Sequence, residues 1–169
     1  MIKLNLTLRF LFLGLTAYSQ GLQKTYYPSG ALETEGTFVD GNRHGVYKEY
    51  YESGQLWKEW YFEEGKEQGE SRWYFPDGTL SMIWNYKDGM LQGVSQWFYE
   101  SGELWAEPNY VDDKLNSFTK TYYKSGALQA IWNYKDNELN GLSKIFFEEG
   151  GVEVERNYLD GKLEGISKV

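Results

Sequence analysis

Few residues of this sequence could carry out catalysis. The 169-residue chain contains one histidine, His44, and no cysteine, and it has neither a Gly-x-Ser-x-Gly nor a His-Glu-x-x-His motif. An activated nucleophile and a zinc centre both need such parts, so neither can be assembled here from recognisable motifs. We therefore predict that the protein is not an enzyme and uses no cofactor, and we interpret His44 as an ordinary turn residue.

Two columns of charged residues recur along the chain and could in principle bind ions. The acidic column consists of Asp40, Glu64, Asp88, Asp112, Asp136 and Asp160. The basic column consists of Lys24, Lys48, Arg72, Lys120 and Lys144, interrupted by Gln96. Calcium needs six to eight oxygen atoms around one point, whereas carboxylates two strand spacings apart would lie about 9 to 10 Å from one another. We therefore assign the acidic residues to turns, predict no metal site, and expect the basic residues to pair with carboxylates or to lie along tyrosine rings.

The tryptophans are the strongest candidates for binding, because an indole ring can form part of a core, anchor a protein partner or stack on a sugar. Alternation along the predicted strands divides them between two faces. One group shares a face with the tyrosine and leucine columns: Trp60, Trp84 and Trp132. The other group alternates with polar residues on a wetter face: Trp57, Trp73, Trp97 and Trp105. We expect the first group to pack and the second group to form the binding site.

These side chains are positioned by a repeat with a fixed period of 24 residues. A glycine recurs with this spacing and with no insertion or deletion: Gly30, Gly54, Gly78, Gly102, Gly126 and Gly150. Eleven residues after each of them stands a second column: Gly41, Gly65, Gly89, Asp113, Asn137 and Gly161. Asp and Asn are the residues besides glycine that best tolerate a positive φ, so the second column predicts a left-handed backbone.

Between the glycines the pattern predicts a strand, a turn, a strand and a second turn in every unit. Runs of aromatic and β-branched residues are separated by turn sequences such as Pro-Asp-Gly at 76–78. This tripeptide fits a type I turn with glycine in the left-handed bulge position, which places Phe75 opposite Thr79 and Tyr74 opposite Leu80. The six glycines of the first column are thus assigned to structural turns.

The elements together predict an all-β fold, an elongated antiparallel sheet of six successive 24-residue β-hairpin repeats. One hairpin cannot bury its apolar face alone, so each unit must be completed by its neighbours. The units cover about residues 22–45, 46–69, 70–93, 94–117, 118–141 and 142–165. The tail from Gly165 begins a seventh unit and would leave an open edge strand, where copies of the chain could self-associate.

Residues 1–19 have the pattern of a secretory signal peptide. The basic residues Lys3 and Arg9 precede an apolar run at 10–15, and Ala17 and Ser19 occupy the small positions of a cleavage site. The run is far shorter than the roughly 20 residues that span a bilayer. We therefore predict a repeat domain at 20–169 that is secreted, periplasmic or at the cell surface, with no stable membrane insertion after cleavage.

The composition narrows the class of partner. The whole chain has a net charge of −8, and residues 20–169 carry 15 basic against 25 acidic residues, a net charge of −10. Such a surface repels phosphate groups, which argues against nucleic acid as a partner. The aromatic content of 18% is far above that of disordered chains, so the chain is expected to fold.

The motif Tyr-Tyr-x-x-Gly-x-Leu, followed by Tyr-x-Asp-Gly-x-x-x-Gly, closely resembles the MORN-repeat variant family, including the proteins named as YwqK-type toxin–antitoxin antitoxins. The resemblance covers residues 24–165 and recurs six times. It implies an elongated sheet of successive β-hairpins that contacts other proteins, and it raises the neutralisation of a toxin as a function. The fourth unit departs from the pattern at Pro108, Asp113 and Ser117, which predicts a bend there or the position of a partner.

Three functions follow from these patterns. The leading hypothesis is a protein-binding scaffold, contacted through the wetter tryptophan face or by strand addition at the open edge. The alternative is a glycan or cell-wall binding module, since tryptophan and tyrosine arrays also occur in wall-binding repeats, although with a shorter period. A third hypothesis is a structural spacer that associates end to end.

Overall fold

The described part of the chain consists of strands and turns. The structure is a computed structural model that describes residues 20–168, so the predicted signal peptide at 1–19 lies outside the described residues. Over the described range, no helix is long and apolar enough to cross a membrane. The strands are β1 Gly21–Tyr26, β2 Leu32–Val39, β3 Asn42–Tyr50, β4 Leu56–Glu63, β5 Lys66–Glu67, β6 Gly69–Tyr74, β7 Leu80–Lys87, β8 Met90–Leu91, β9 Gly93–Val94, β10 Gln96–Phe98, β11 Leu104–Glu107, β12 Asn109–Val111, β13 Lys114–Leu115, β14 Ser117–Tyr122, β15 Leu128–Lys135, β16 Glu138–Leu139, β17 Gly141–Phe146, β18 Val152–Leu159 and β19 Lys162–Lys168.

The long strands form one antiparallel meander in chain order. The sequence of neighbours is β1-β2-β3-β4-β6-β7-β10-β11-β14-β15-β17-β18-β19, and the short return strands β5, β8 and β16 pair with the strands that precede them. This arrangement confirms the predicted all-β fold of successive antiparallel hairpins. The strand β19 pairs with β18 in the position that a seventh unit would take.

The first turn of each unit joins the two long strands of a hairpin. In the third unit the Phe75 N–H donates to the Thr79 carbonyl at 2.8 Å, and the Gly78 N–H donates to the Phe75 carbonyl at 2.9 Å. Tyr74 pairs with Leu80, as predicted, and this is a type I turn closed by a left-handed glycine. The turn glycines have φ between +84° and +101°: Gly30, Gly54, Gly78, Gly102, Gly126 and Gly150.

The second turn of each unit contains two successive left-handed residues. Asp88 and Gly89 have φ of +54° and +83°, and Asp112 and Asp113 have φ of +49° and +66°. Two positive φ angles in a row are typical of a type I′ turn, whose twist suits a tight hairpin. Successive turns also stack on one another, since the Gly89 N–H donates to the Glu67 carbonyl at 2.9 Å. The predicted left-handed backbone of this column is confirmed.

A bulge next to the first turn interrupts the alternation of side chains in every hairpin. Trp73 pairs with Met82, whereas the residue after Trp73 pairs with Leu80, so Ser81 is an extra residue on the second strand. The same shift recurs in the other five hairpins. An extra residue moves the residues beyond it to the opposite face. Leu80 and Trp84 therefore lie on opposite faces of the sheet.

One face, which we call the aromatic face, contains the buried side chains. Phe62 is 2% exposed, Tyr47 7% and Tyr110 8%. Among the described residues the contacts run between strands that are near one another in the ribbon, so no second layer covers this face. Its side chains are buried by one another.

A column of small side chains makes room for the rings of the aromatic face. Ser71 pairs with Trp84, and Thr119 pairs with Trp132. The column is almost fully enclosed, with exposures between 0 and 9%: Ser71, Ser95, Thr119 and Ser143. A small residue on one strand thus faces a large one on the next, which is how a dense interior is filled without voids.

The fourth unit is where the sheet divides. Pro108 is fully buried and separates β11 from β12, because a proline has no N–H to donate to a sheet. The strands β9, β12 and β13 form a separate three-stranded sheet at this point. The two parts stay linked, since the Ser95 N–H donates to the Pro108 carbonyl at 2.9 Å. The predicted irregularity of this unit is therefore a break in the ladder.

The opposite face, which we call the ion-pair face, is more open and polar. Basic residues on one strand meet acidic residues on the next: Lys24 and Glu35 at 3.0 Å, Lys48 and Glu59 at 3.3 Å, and Lys144 and Glu155 at 2.8 Å. Four of the five residues of the basic column thus pair with carboxylates, as expected, Arg72 through Glu70.

Candidate binding surface

The aromatic face contains a ladder of indole rings that extends over the third and fourth units. The ring centroids of Trp73 and Trp84 are 5.8 Å apart, those of Trp84 and Trp97 are 5.6 Å apart, and those of Trp97 and Trp105 are 5.6 Å apart. Tyr110 adds a branch at 6.0 Å from Trp84. Tilted contacts at such distances stabilise aromatic pairs beyond the area that they bury. We call this set of five side chains the indole ladder.

The predicted division of the tryptophans between two faces is wrong. Trp73 and Trp97, expected on the wetter face, stack on both sides of Trp84, expected in the core. The cause is the bulge beside the first turn. Counting alternate residues from the turn to Trp84 includes the extra residue Ser81, so the count places Trp84 on the wrong face of the sheet.

The four tryptophans singled out from the sequence differ in how much of each ring is accessible. Trp105 is 39% exposed, whereas Trp57, Trp73 and Trp97 are half-buried. Trp57 and Trp105 both occupy the extra position of a bulge. Each contacts a tyrosine that precedes the first turn. The ring centroids of Trp57 and Tyr51 are 5.5 Å apart, and those of Trp105 and Tyr99 are 6.3 Å apart. Trp105 is thus the one exposed ring of the four, and Trp57 is the half-buried ring at the equivalent place.

Lys58 lies among the rings and was not expected there. Its Nζ is 3.8 Å from the ring centroid of Trp57, 4.4 Å from that of Trp73 and 5.5 Å from that of Trp60. The Nζ also lies 3.8 Å from a carboxylate oxygen of Glu49. A cation held over several rings gains from their negative faces. The clue in the sequence is that the equivalent residues of the other units are uncharged: Thr34, Met82, Ala106, Ala130 and Val154.

The indole N–H groups are turned away from solvent. The Nε1 atoms of Trp73, Trp84 and Trp97 are buried and have no hydrogen-bond partner among the described residues. A partner that approaches this face therefore meets ring carbon and the Lys58 ammonium rather than indole donors. Burial also raises the pKa of Tyr110 and Tyr86 above the usual value.

The units are joined by tyrosine hydroxyls that follow the first strand. The Tyr51 O–H donates to the Tyr74 carbonyl at 2.8 Å, and the Tyr99 O–H donates to the Tyr122 carbonyl at 2.9 Å. Equivalent bonds start from Tyr27 and Tyr123. Each bond spans 23 residues and therefore ties one hairpin to the next. These bonds keep the rings of neighbouring units at a constant spacing.

The comparison with known protein families identifies the repeat. A model described as "MORN repeat variant" matches residues 19–40, 43–64, 67–88, 91–112, 119–136 and 139–160. These six segments make up more than half of the chain. The chain belongs to the MORN repeat variant family. A comparison with curated proteins finds no match.

One solved structure resembles part of this MORN-variant chain. It is described as "Crystal Structure of TarM", with 17% sequence identity and a TM-score of 0.42. The similarity covers 63% of this chain and 20% of that one, so the chain spans a fifth of the length of the structure that it matches. The overlap is too loose to bear on the function of the MORN-variant chain.

The acidic column of the MORN units is used inside the second turns. The Gln68 side-chain amide donates to Asp88 at 2.9 Å, and the Asp88 N–H donates back to the Gln68 side-chain oxygen at 3.1 Å. Across the range that the structure describes, no group of three acidic or histidine side chains is placed to hold a metal ion. His44 is exposed near the start of β3 and pairs with Thr37. The column thus serves the turns that carry the aromatic face.

Proposed function

We propose that this chain is a non-enzymatic scaffold that binds another protein through the aromatic face. The observation that carries the proposal is the indole ladder, which extends over two units and is covered by no second layer among the described residues. Large aromatic rings in a fixed, partly accessible array are typical of the residues that dominate protein–protein affinity. The hydrogen-bonded units hold the rings in place before a partner arrives, which lowers the entropy lost on binding.

The two tryptophans at bulge positions define where a partner would make contact. Trp57 and Trp105 stand at equivalent positions of the second and fourth units, two units apart. Neighbouring strands are about 4.8 Å apart, so two units of two strands each separate the rings by about 19 Å. A partner segment that bridges them crosses Lys58 and Trp73. Its middle would therefore be apolar or acidic and its ends apolar.

The finer form of this proposal is a role like that of an antitoxin or an immunity protein. The chain resembles such proteins in its repeat motif, and its net charge of −8 favours a basic partner. Binding through a rigid face would cover the partner's own active surface. The test is whether the partner is toxic when produced alone and harmless when produced with this chain.

We also propose that the chain works outside the cytoplasm. The support for this is the signal-peptide pattern at residues 1–19, with its cleavage site after Ser19. Amino-terminal sequencing of protein recovered from a secreting host measures the cleavage directly. A mature chain that begins at Gln20 or Gly21 supports export, whereas an intact Met1 in the exported fraction contradicts the assigned cleavage site.

The binding experiment is a pull-down with purified protein, followed by affinity measurement for the captured partner. Changing Trp57 and Trp105 to Ala together is expected to weaken binding by about 2 kcal/mol or more, the usual loss for central aromatic anchors. Tyr61→Ala is the matched control, since this ring is 45% exposed and pairs with Val46 on the ion-pair face. Equal affinities of all three proteins would contradict the proposal.

The alternative function is binding of a glycan or of the cell wall. The observation in its favour is that two ring pairs are only moderately tilted, Tyr51 with Trp57 at 34° and Trp97 with Trp105 at 35°. Neighbouring aromatic rings of this kind offer apolar surface to the apolar faces of sugars. Pull-downs with peptidoglycan and with a glycan array, compared with a protein-array screen, distinguish the two functions. Glycan retention that is lost with Trp105→Ala would favour the alternative.

A further inference from the structure

A row of exposed apolar side chains crosses the ion-pair face, and the proposed function does not use it. The row recurs every 24 residues and consists of Leu22, Val46, Glu70, Val94, Phe118 and Leu142. We call these six positions the apolar stripe. Its five apolar members are between 43 and 64% exposed. Each stands two residues before a position of the basic column, as Val46 does before Lys48, so both point to the same side of the sheet.

The stripe alternates with hollows along the ribbon. Between two stripe residues lies a residue of the intervening strand, as Asn109 lies between Val94 and Phe118. The hollow at this place has a volume of about 210 Å³ and is also lined by Glu107 and Lys120. Ridge and hollow thus repeat every two strand spacings, about 9.6 Å, except between Val46 and Glu70, where the intervening residue is Tyr61, which is 45% exposed. A similar hollow of about 320 Å³ lies at the other end of the stripe, between Leu22 and Val46.

We propose that two copies of this chain associate face to face through the apolar stripe, in antiparallel order. A partner that fills hollows along the whole stripe must have ridges with the same spacing of about 9.6 Å, and a second copy of the chain has that spacing. Shifted by one strand spacing, the ridges of each copy enter the hollows of the other. This association uses the face opposite the indole ladder and does not depend on the proposed function.

The charges of the ion-pair face permit two acidic chains to meet there. The basic and acidic residues of this face neutralise one another in pairs, as Lys48 and Glu59 do at 3.3 Å and Lys144 and Glu155 do at 2.8 Å. The acidic column lies instead in the second turns, at one margin of the sheet. Two copies therefore approach through a band without surplus charge, where long-range repulsion is weakest.

Glu70 and Lys120 determine the order of the two copies. Glu70, the one charged member of the stripe, pairs with Arg72 of its own strand at 2.5 Å, whereas Lys120 forms no ion pair within residues 20–166. With a two-fold axis parallel to the strands, Glu70 of one copy enters the 210 Å³ hollow of the other and meets its Lys120. The same operation brings Leu142 to the 320 Å³ hollow. A two-fold axis makes each of these contacts twice.

The available area is sufficient for a stable dimer. The stripe from Leu22 to Leu142 crosses ten strand spacings, about 48 Å. Together with the adjacent charged row it forms a band about 15 Å wide, which gives an interface of about 700 Å² per copy, close to the roughly 800 Å² of a standard interface.

Sedimentation equilibrium of the purified protein, at loading concentrations from about 1 to 100 µM, tests the proposal. We expect a monomer–dimer equilibrium. Phe118→Glu is expected to weaken dimerisation by about tenfold or more, because the Phe118 ring is 54% exposed in the monomer and becomes buried in the dimer, where the variant would bury a carboxylate instead. Phe147→Glu is the matched control, because that ring is 47% exposed and lies off the stripe. Its dimerisation should equal that of the unchanged chain. Thermal unfolding of each variant verifies that it is folded.

Exchange of the two charges tests the order of the copies. Glu70→Lys and Lys120→Glu are each expected to weaken the dimer by several fold, and the double variant is expected to restore it. A protein that stays monomeric at all concentrations overturns the proposal. So does a dimer that Phe118→Glu leaves unchanged. A double variant that dimerises no better than the single variants overturns the antiparallel order.

Discussion

Removing a single hydroxyl from Tyr51 tests how the units are joined. This O–H donates to the Tyr74 carbonyl of the next hairpin at 2.8 Å, in a partly buried position. Phenylalanine keeps the ring and its contact with Trp57 at 5.5 Å and deletes the hydrogen bond alone. A hydrogen bond of this kind contributes about 0.5 to 1.5 kcal/mol net. We therefore expect Tyr51→Phe to lower the free energy of unfolding by about 1 kcal/mol.

The third unit allows the reverse substitution. Phe75 occupies the position of Tyr51, 24 residues later, and has no hydroxyl to reach the next hairpin. Phe75→Tyr supplies one and is expected to raise the free energy of unfolding by up to about 1 kcal/mol. The paired substitutions thus move stability in opposite directions at equivalent places.

The assay is urea denaturation followed by circular dichroism, supported by thermal unfolding. For a domain of this size, 1 kcal/mol corresponds to a shift of the unfolding midpoint of about 2 to 4 °C. Tyr61→Phe is the control, since the Tyr61 ring is 45% exposed and its hydroxyl has no partner among the described side chains. A loss in Tyr61→Phe as large as that in Tyr51→Phe would refute the inter-unit bond as the cause, as would an unchanged Tyr51→Phe.

Three further perturbations test the turns, the ionisation and the packing. Gly78→Val is expected to cost about 1 to 3 kcal/mol because Gly78 has φ of +89°. A Cβ added at Gly78 meets nothing within 4 Å, so the cost arises from the backbone alone. Thr79→Val should be mild, and equal losses in urea denaturation would contradict the turn. Burial, and then the hydrogen bond to a carboxylate, raises the pKa of Tyr50 from 10.0 to about 12. Its contribution to stability is therefore complete below pH 10 and is lost as the pH rises through about 12, and Tyr50→Phe should flatten that fall in a thermal-unfolding series. Ser71→Leu is expected to cost about 1 to 3 kcal/mol by overfilling the space opposite Trp84, whereas Ser71→Ala, which deletes an unpartnered hydroxyl, should be close to neutral in the same assay.

The order of strands and turns could be predicted from the sequence because it depends on local chemistry. Glycine at position 78 fits a left-handed φ, and the Asp112-Asp113 pair fits the two left-handed residues of a type I′ turn. Both signals recur with the period of the repeat. The meander then follows, because each hairpin can bury its apolar side chains only against the next.

The division of residues between the two faces could not be predicted, because it depends on one unpaired residue in each hairpin. Ser81 is extra on the second strand, and nothing in the alternation marks it before the pairing is known. The column of small residues that includes Ser71 and Ser143 was the available signal. Its recurrence opposite the large rings indicates an enclosed position, which places the rings on the same face as the small residues.

The position of Lys58 could not be foreseen either. Its Nζ lies 4.4 Å from the ring centroid of Trp73 in the next hairpin, a contact between residues of different units. The 24-residue period shows which residues the units have in common, whereas a lysine at this position occurs in the second unit alone.

The most direct test of the aromatic face as the binding surface is oxidative footprinting of the captured complex by mass spectrometry. If the proposal is right, Trp57 and Trp105 are oxidised more slowly in the complex than in the free chain, while Tyr61 on the ion-pair face is oxidised at the same rate in both. If Trp57 and Trp105 are oxidised equally fast with and without the partner, the aromatic face is not where the partner binds.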